Sequence, residues 1–181
     1  MPAGNADVAI FPVDTPTAVL INQDVVVKTI YFRNPGMTLT IAAGAHLSLG
    51  NLGALVLRAD EDAVIDGDGT LSFSVNTGEN FADNQAAAGK ILTILAKITG
   101  ANGFEHNGGG GTIILANPGN EQSGNTLITA SGVLSVPSVS NTGVPGPLGS
   151  GEAFKFSVNN TTFRFTGESG STDRTFYQNA G

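Results

Sequence analysis

Apolar and polar residues alternate in short bursts along most of this chain. Leu39 and Ile41 alternate with Thr38 and Thr40, and Leu47 and Leu49 alternate with His46 and Ser48. A period of two with hydroxyls on the second face predicts strands with one buried side. The pattern returns at Leu55 to Leu57, at Ala63-Val64-Ile65, and at Leu71, Phe73 and Val75 set against Ser72 and Ser74. Residues rich in Asp, Gly or Asn separate these runs, which come roughly every eight residues, a turn density that suits an all-β chain. Ahead of them, Val8 to Phe11 and Ala18 to Ile21 are interrupted by Pro12 and Pro16. Proline cannot donate to a central ladder, so these runs suit the edge of a fold. Val25 to Phe32 is a longer β-rich run that Asn34-Pro35-Gly36 closes.

Between Glu79 and Ile98, Ala86-Ala87-Ala88 raises a one-turn helix as an alternative, while Lys90 to Leu95 reads as strand from its β-branched content. The four glycines Gly108 to Gly111 read as a flexible turn, because a phosphate-binding loop would need a following Lys and Ser or Thr. From Gly111 to Val136, GTIILANPGNEQSGNTLITASGVLSV, the plan is most explicit. Ile113 to Leu115 make a brief run, Asn117-Pro118-Gly119-Asn120 must turn, Thr126 to Thr129 resume a strand, and Gly132 opens another with Leu134 and Val136 on one face. Pro137 to Gly151 is a low-complexity loop expected to pack little. Phe154 with Phe156, Phe163 with Phe165, and finally Phe176 mark three aromatic strands expected to fill the last core layers.

Hairpin folds favour two-residue Asn-Gly or Asp-Gly turns between longer strands. Asp66-Gly67 and Asp68-Gly69 could serve that role here; most other connections vary in length and carry small residues. A solenoid, whose strands pair with the coils above and below, fits better, with a β-sandwich as the competing architecture. Coils of roughly 20 to 25 residues would give about seven to nine of them and a rod of roughly 35 to 45 Å. The expected organisation is one domain over residues 1–181, with an edge region at 1–36, central coils at 37–136, the Pro/Gly loop at 137–151 and the last coils at 152–181. Its core is expected to hold Leu39, Ile41, Leu47, Leu49, Leu71, Phe73, Leu134, Val136, Phe154, Phe156, Phe163, Phe165 and Phe176.

Composition narrows the partners. Charged residues make up 13% of the chain, about half the usual share, and glycine reaches 25 residues, so the surface is neutral and hydroxyl-rich. A net charge of −7 with eight scattered Lys and Arg argues against nucleic acid and against an anionic membrane. With no cysteine, disulfides and thiolate metal sites are excluded. No apolar run approaches the roughly 18 residues of a spanning helix, and Met1-Pro2-Ala3-Gly4 lacks the charged and apolar regions of a signal peptide.

The segment Gly111 to Val136 resembles the autotransporter-associated β-strand repeat, through Gly111-Thr112, Ala116-Asn117, Ser123-Gly124, Thr126, Ile128, Gly132 and Leu134. Gly111, Asn117, Gly124 and Gly132 hold the turn positions of that pattern. It departs where Pro118-Gly119-Asn120-Glu121 replaces the usual Tyr-containing turn and where Val133 stands for Thr. The segment TTFRFTGESGSTDRTF, Thr161 to Phe176, is similar to the stretch that comes directly after such repeats, most specifically at Ser171 to Phe176. The resemblance covers Gly111 to Gly181; residues 1–100 share only its texture. It implies a right-handed parallel β-helix from the passenger of a secreted or outer-membrane-anchored bacterial surface protein. Such repeats are scaffolding and transfer no catalytic residue. The expected role is a non-catalytic extracellular stalk, with an adhesion module for glycans or neighbouring cells, or a glycan-active enzyme fragment, as alternatives.

Individual polar residues take their expected roles from the same pattern. Asp66 and Asp68, in Val64-Ile65-Asp66-Gly67-Asp68-Gly69-Thr70, are paired carboxylates that could work as acid and base or bind Ca²⁺. The Ca²⁺ pattern stops at Gly69, where Thr70, Leu71 and Phe73 replace further oxygen ligands, so a turn is the expected role and no cofactor is expected. His46 on an outward face and His106 in a Gly-rich loop are expected to be solvated, as is the acidic turn Asp60-Glu61-Asp62. Arg174 is expected to pair with Asp173 or to hold a turn carbonyl. The sequons in Asn159-Asn160-Thr161-Thr162 mean little in a bacterial chain. Thr175 to Gly181 carries no charged side chain, so end-to-end self-association is expected there, whereas Pro2, Pro12 and Pro16 would blunt pairing at the other end.

Overall fold

The computed structural model describes residues 7–14, 16–50, 55–74, 81–157 and 160–179; Pro2, Val75, Glu79 and Asn159 lie outside them. Strands β1 (Val8–Phe11), β2 (Ala18–Ile21) and β3 (Val25–Val27) form the three walls of one turn. Stacked on them are β4 (Thr29–Phe32), β5 (Met37–Ile41) and β6 (His46–Leu49), then β7 (Leu55–Ala59), β8 (Ala63–Asp66) and β9 (Thr70–Phe73). Next come β10 (Phe81–Ala86), β11 (Ile91–Ile94) and β12 (Lys97–Thr99). Beyond these, two walls continue as β13 (Gly103–Asn107) and β14 (Thr112–Leu115), β15 (Thr126–Thr129) and β16 (Gly132–Val136), β17 (Ala153–Ser157) and β18 (Thr161–Phe165), and β19 (Thr175–Asn179).

Strands consecutive in the chain do not pair. Among the described residues the sheets hold eight, seven and four strands, in the orders β1-β4-β7-β10-β13-β15-β17-β19, β18-β16-β14-β11-β8-β5-β2 and β12-β9-β6-β3, and every pairing between these strands is parallel. This is a parallel β-solenoid, with no helix among the described residues. The helical alternative at Ala86 fails because Ala86 ends β10 with its methyl buried, while Ala87 bridges Gly110 of the next coil.

Parallel register forces like positions to stack, so each inward side chain rests on its counterpart one coil away. Val25, Leu47, Leu71 and Ile98 form one such column, and all four are buried. Leu39, Ile41, Leu49, Phe73, Leu134, Val136 and Phe154 are buried in the same core, with Phe156, Phe163 and Phe165 partly buried against it. Phe176 differs: it touches Phe154 at 5.6 Å between ring centroids but stays 46% exposed, because β19 is covered on one side only.

The segment at 137–151 also departs from expectation. Although it forms no strand, Gly146 to Gly149 are buried and Leu148 is 1% exposed. The third wall goes on as irregular backbone that still finds the coil below: Glu121 N donates to Ile98 O at 2.8 Å, Gly146 N to Asn120 O at 3.1 Å, and Ser150 N to Gln122 O at 2.8 Å. Side chains reinforce it, with Ile98 N donating to Asn120 Oδ1 at 2.8 Å and Asn120 Nδ2 to Pro147 O at 3.1 Å. A low-complexity loop thus packs because its backbone groups meet the neighbouring coil and Leu148 enters the core.

Leu134, wholly buried between Ile113 and Phe163 in register, tests this core. Leu134→Asp is expected to lower the unfolding free energy by roughly 4 kcal/mol, the scale of a lost core leucine and a buried unpaired polar group. Urea denaturation measures it, and a parent-like midpoint would place Leu134 outside the core.

Candidate functional site

The alternation of β13 turns Phe104 and His106 inward and Glu105 and Asn107 outward. His106 is therefore not in a solvated loop but wholly buried, stacked between Asn84 below and Ile128 above. Its Nδ1 lies 3.3 Å from the carbonyl oxygen of Asn84 and its Nε2 3.2 Å from that of Gly111. A neutral ring has one N–H, so only one of those carbonyls receives a proton. Burial pushes the His106 pKa down, more than the two carbonyls raise it. The ring needs Gly132, where a Cβ would stand 2.5 Å from Nε2. The glycine run around it is likewise ordered: Gly109 has φ +84°, and a Cβ there would come within 2.2 Å of Ala86 O. At Gly124 a Cβ would meet Gly103 N at 2.1 Å, whereas Asn117 Nδ2 donates to Leu95 O at 2.7 Å.

Arg174 is, with His106, one of two buried ionisable side chains among the described residues, at 5% exposure. Its Nε donates to Ser140 O at 2.9 Å, its Nη2 to Gly149 O at 2.6 Å and Asn141 O at 3.3 Å, and its Nη1 to Gly151 O. It holds turn carbonyls, one of its two expected roles, while Asp173 Oδ1 accepts from Thr142 N at 2.7 Å. Burial lowers the guanidinium pKa and the charge of Asp173 opposes it. The segment 137–151 is strapped down by one cation from the following coil.

The acidic turn lies at the surface as expected, with Asp62 exposed, and is also engaged in ion pairs. Asp60 pairs with Arg58 at 2.7 Å and Arg33 at 3.5 Å, Glu61 pairs with Lys90, and Asp62 Oδ1 accepts from Ile91 N at 2.8 Å. Cations that look scattered in the sequence converge there because their coils stack. The hydrogen bond from Lys90 to Glu61, with the nearby acidic charge, raises the Lys90 pKa. Asp66 ends β8 with its Oδ1 unpartnered among the described residues, and Asp68 is exposed at the corner. Gly67 and Gly69 are required there, since a Cβ would lie 2.1 Å from Ile41 O and 2.4 Å from Ala42 O respectively. Among the described residues no three His, Asp or Glu side chains converge as metal ligands.

Two outer faces carry organised chemistry. On the third sheet His46 is outward as expected, yet half-buried: Nδ1 lies 2.6 Å from Thr70 Oγ1, Nε2 lies 2.8 Å from Ser72 Oγ, and its backbone N donates to Asp24 Oδ1 at 2.9 Å. Sequence reading misses Thr70 and Ser72, which stand 24 and 26 residues from His46; one coil of register is the signal that finds them. On the first sheet Asn125, Glu152, Lys155 and Tyr177 line an open polar hollow of about 340 Å³. Lys155 Nζ lies 6.0 Å from the Tyr177 ring centroid. At the first turn Phe11, Val19, Ile21, Val25 and Leu47 line an apolar hollow of about 310 Å³.

His106 and Arg174 each generate a test. Because the folded pKa of His106 lies below its unfolded value near 6.5, the unfolded chain takes the proton first, so stability is full above that pH and is lost as pH falls through it. Between pH about 7.5 and about 5.5 the urea midpoint is expected to fall in the parent and to fall less in His106→Leu. Arg174→Ala is expected to cost roughly 3 kcal/mol, since charge-assisted bonds contribute about 1.5–3 kcal/mol each. Limited proteolysis should then cut between Pro137 and Gly151; an uncut segment would mean that other contacts hold it.

No family model matches this chain, and no curated protein or solved structure matches it.

Proposed function

We propose that this chain is a structural segment of a bacterial surface protein of the autotransporter type, a stalk that serves to space or display other parts. The observation that carries the reading is the continuous all-parallel ladder over a stacked apolar core, the build of a stiff rod. The repeat-like pattern from Gly111 to Val136 supports it, and right-handed coiling is the sense that parallel crossovers favour. Low charge and abundant hydroxyls suit an extracellular surface that meets no nucleic acid and inserts in no membrane. In this role end-to-end self-association extends the rod: the exposed Phe176 ring on β19 and the apolar hollow under β1 lie at opposite ends of the same eight-stranded sheet, so head-to-tail stacking continues that sheet.

A second reading, adhesion, rests on the Lys155 and Tyr177 hollow, whose aromatic ring, cation, amide and carboxylate match the groups that hold a sugar. Binding on a glycan array that Tyr177→Ala abolishes would favour it.

Antibody against the chain is expected to label intact producing cells; confinement to the cell interior would overturn the surface assignment. Light scattering across a concentration series is expected to show growth that Phe176→Lys suppresses. A strictly monomeric parent at high concentration would remove self-association.

A further inference from the structure

We propose that Ser72 is an activated nucleophile, with His46 as its general base, and that this site on the outer face of the third sheet hydrolyses acyl esters. The site is independent of the scaffold role and could be mounted on any rod of this build. Its ground is geometric. His46 Nε2 stands 2.8 Å from Ser72 Oγ, within the reach of proton transfer. On the other side of the ring Nδ1 stands 2.6 Å from Thr70 Oγ1. When Thr70 accepts the Nδ1 proton, the tautomer it selects leaves the Nε2 lone pair facing Ser72. Thr70 is a positioning residue; Ser72 and His46 are the reacting groups.

The mounting and the access also fit. β6 and β9 run in register with His46 beside Thr70 and Ser48 beside Ser72, so the dyad sits on paired strands above buried Leu47 and Leu71. His46, Thr70 and Ser72 are all half-buried, held on the strand side and open on the other. On the next strand Thr99 is the register partner of Ser72 and faces outward beside it, while Gly100 adds no side chain; among the described residues a Cβ placed there would meet Ser72 Cβ at 3.7 Å. Lys97, the register partner of Thr70, brings positive charge to the same face for a developing oxyanion and is itself held by Glu121 at 2.5 Å. The face is a flat sheet rather than a cleft, so the substrate class is a small ester or an acyl group carried on an extended chain.

The step balances with water as the only co-reactant. Ser72 Oγ bonds to the acyl carbon while its proton passes to His46 Nε2; the ester C–O bond breaks and the alcohol leaves with that proton. Water then adds to the acyl-Ser72 carbon, its proton passes through His46 to Ser72 Oγ, and the carboxylic acid is released.

The competing explanation is that the imidazole only ties hydroxyls of adjacent coils together. Ser48 is the internal control, because it shares the same face with its Oγ 3.5 Å from Ser72 Oγ, while the two ring nitrogens of His46 are engaged with Thr70 and Ser72. The folded chain is treated with a fluorophosphonate and, separately, with p-nitrophenyl acetate, and modified peptides are mapped by mass spectrometry. General-base assistance contributes about 10²–10⁴-fold, so Ser72 is expected to label on the order of a hundred times faster than Ser48. His46→Gln, checked for parent-like circular dichroism, should bring Ser72 down to the Ser48 rate, and Thr70→Val should slow it while Thr70→Ser restores it. Should His46→Gln fail to fold, the parent comparison of Ser72 with Ser48 decides alone. Equal labelling of the two serines, or labelling of Ser72 that His46→Gln leaves unchanged, would overturn the proposal.

Discussion

Parallel coil-on-coil register is the constraint on which the rest of this molecule depends. A single coil has no partner for its outward-pointing N–H and C=O groups along the axis, and fixing each residue's backbone costs roughly 1–2 kcal/mol. One ladder bond returns only about 1 kcal/mol net. An isolated coil therefore cannot hold its shape; burial of its inward face against the coils on either side must supply the difference. That burial is continuous here, from the Val25 column to the Phe154 cluster. Stability is shared between neighbours, which makes an interior substitution such as one at Leu134 a disturbance to several coils.

Close stacking dictates the corners as strictly as the core. Neighbouring backbones approach until no Cβ fits at Gly67, Gly69, Gly109 or Gly124. Polar corner groups must then find partners in the coil above or below. Asn120, Asp62 and Arg174 each do so, bonding to backbone 22 to 34 residues away. This explains why an irregular third wall is as ordered as the stranded one: the coil spacing is kept by backbone hydrogen bonds whether or not the segment is extended.

Much of the fold is legible in the sequence because period-two alternation survives wherever one face is buried. Thr38 to Ile41, His46 to Leu49 and Leu71 to Phe73 show it, and the strands fall there. Legibility ends where a residue's surroundings come from another coil. His106 sits among glycines and looks like loop, although Phe104 and Glu105 already carry the alternation that turns it inward. Pro137 to Gly151 looks unpackable because few of its side chains are large and apolar, while its carbonyls accept from Arg174 and its N–H groups donate to the coil below. The ion pairs of the acidic turn are hidden in the sequence because Arg33 and Lys90 lie one coil away on opposite sides. Phe176 looks like core from its side chain alone, whereas its exposure depends on β19 having one bare side.

The candidate site is not legible, for a related reason. A catalytic motif read along a chain assumes that chemistry-bearing residues are neighbours in sequence or share a helix face. In a parallel solenoid the neighbours of an outward residue are fixed by register instead: His46 meets Thr70 on the next strand, and Thr70 meets Lys97 on the one after. The only short-range partner is two positions along, as Ser72 is to Thr70. An outward face is thus a two-dimensional array whose rows run along strands and whose columns run across coils. Any residue can acquire a partner by substitution one coil away without disturbing the inward columns that hold the fold, because alternate positions face opposite sides of the sheet. Scaffold and site are physically separable in this architecture, so a rod whose core is purely structural can carry a reactive pair such as His46 and Ser72 on its outer face at no cost to its stacking.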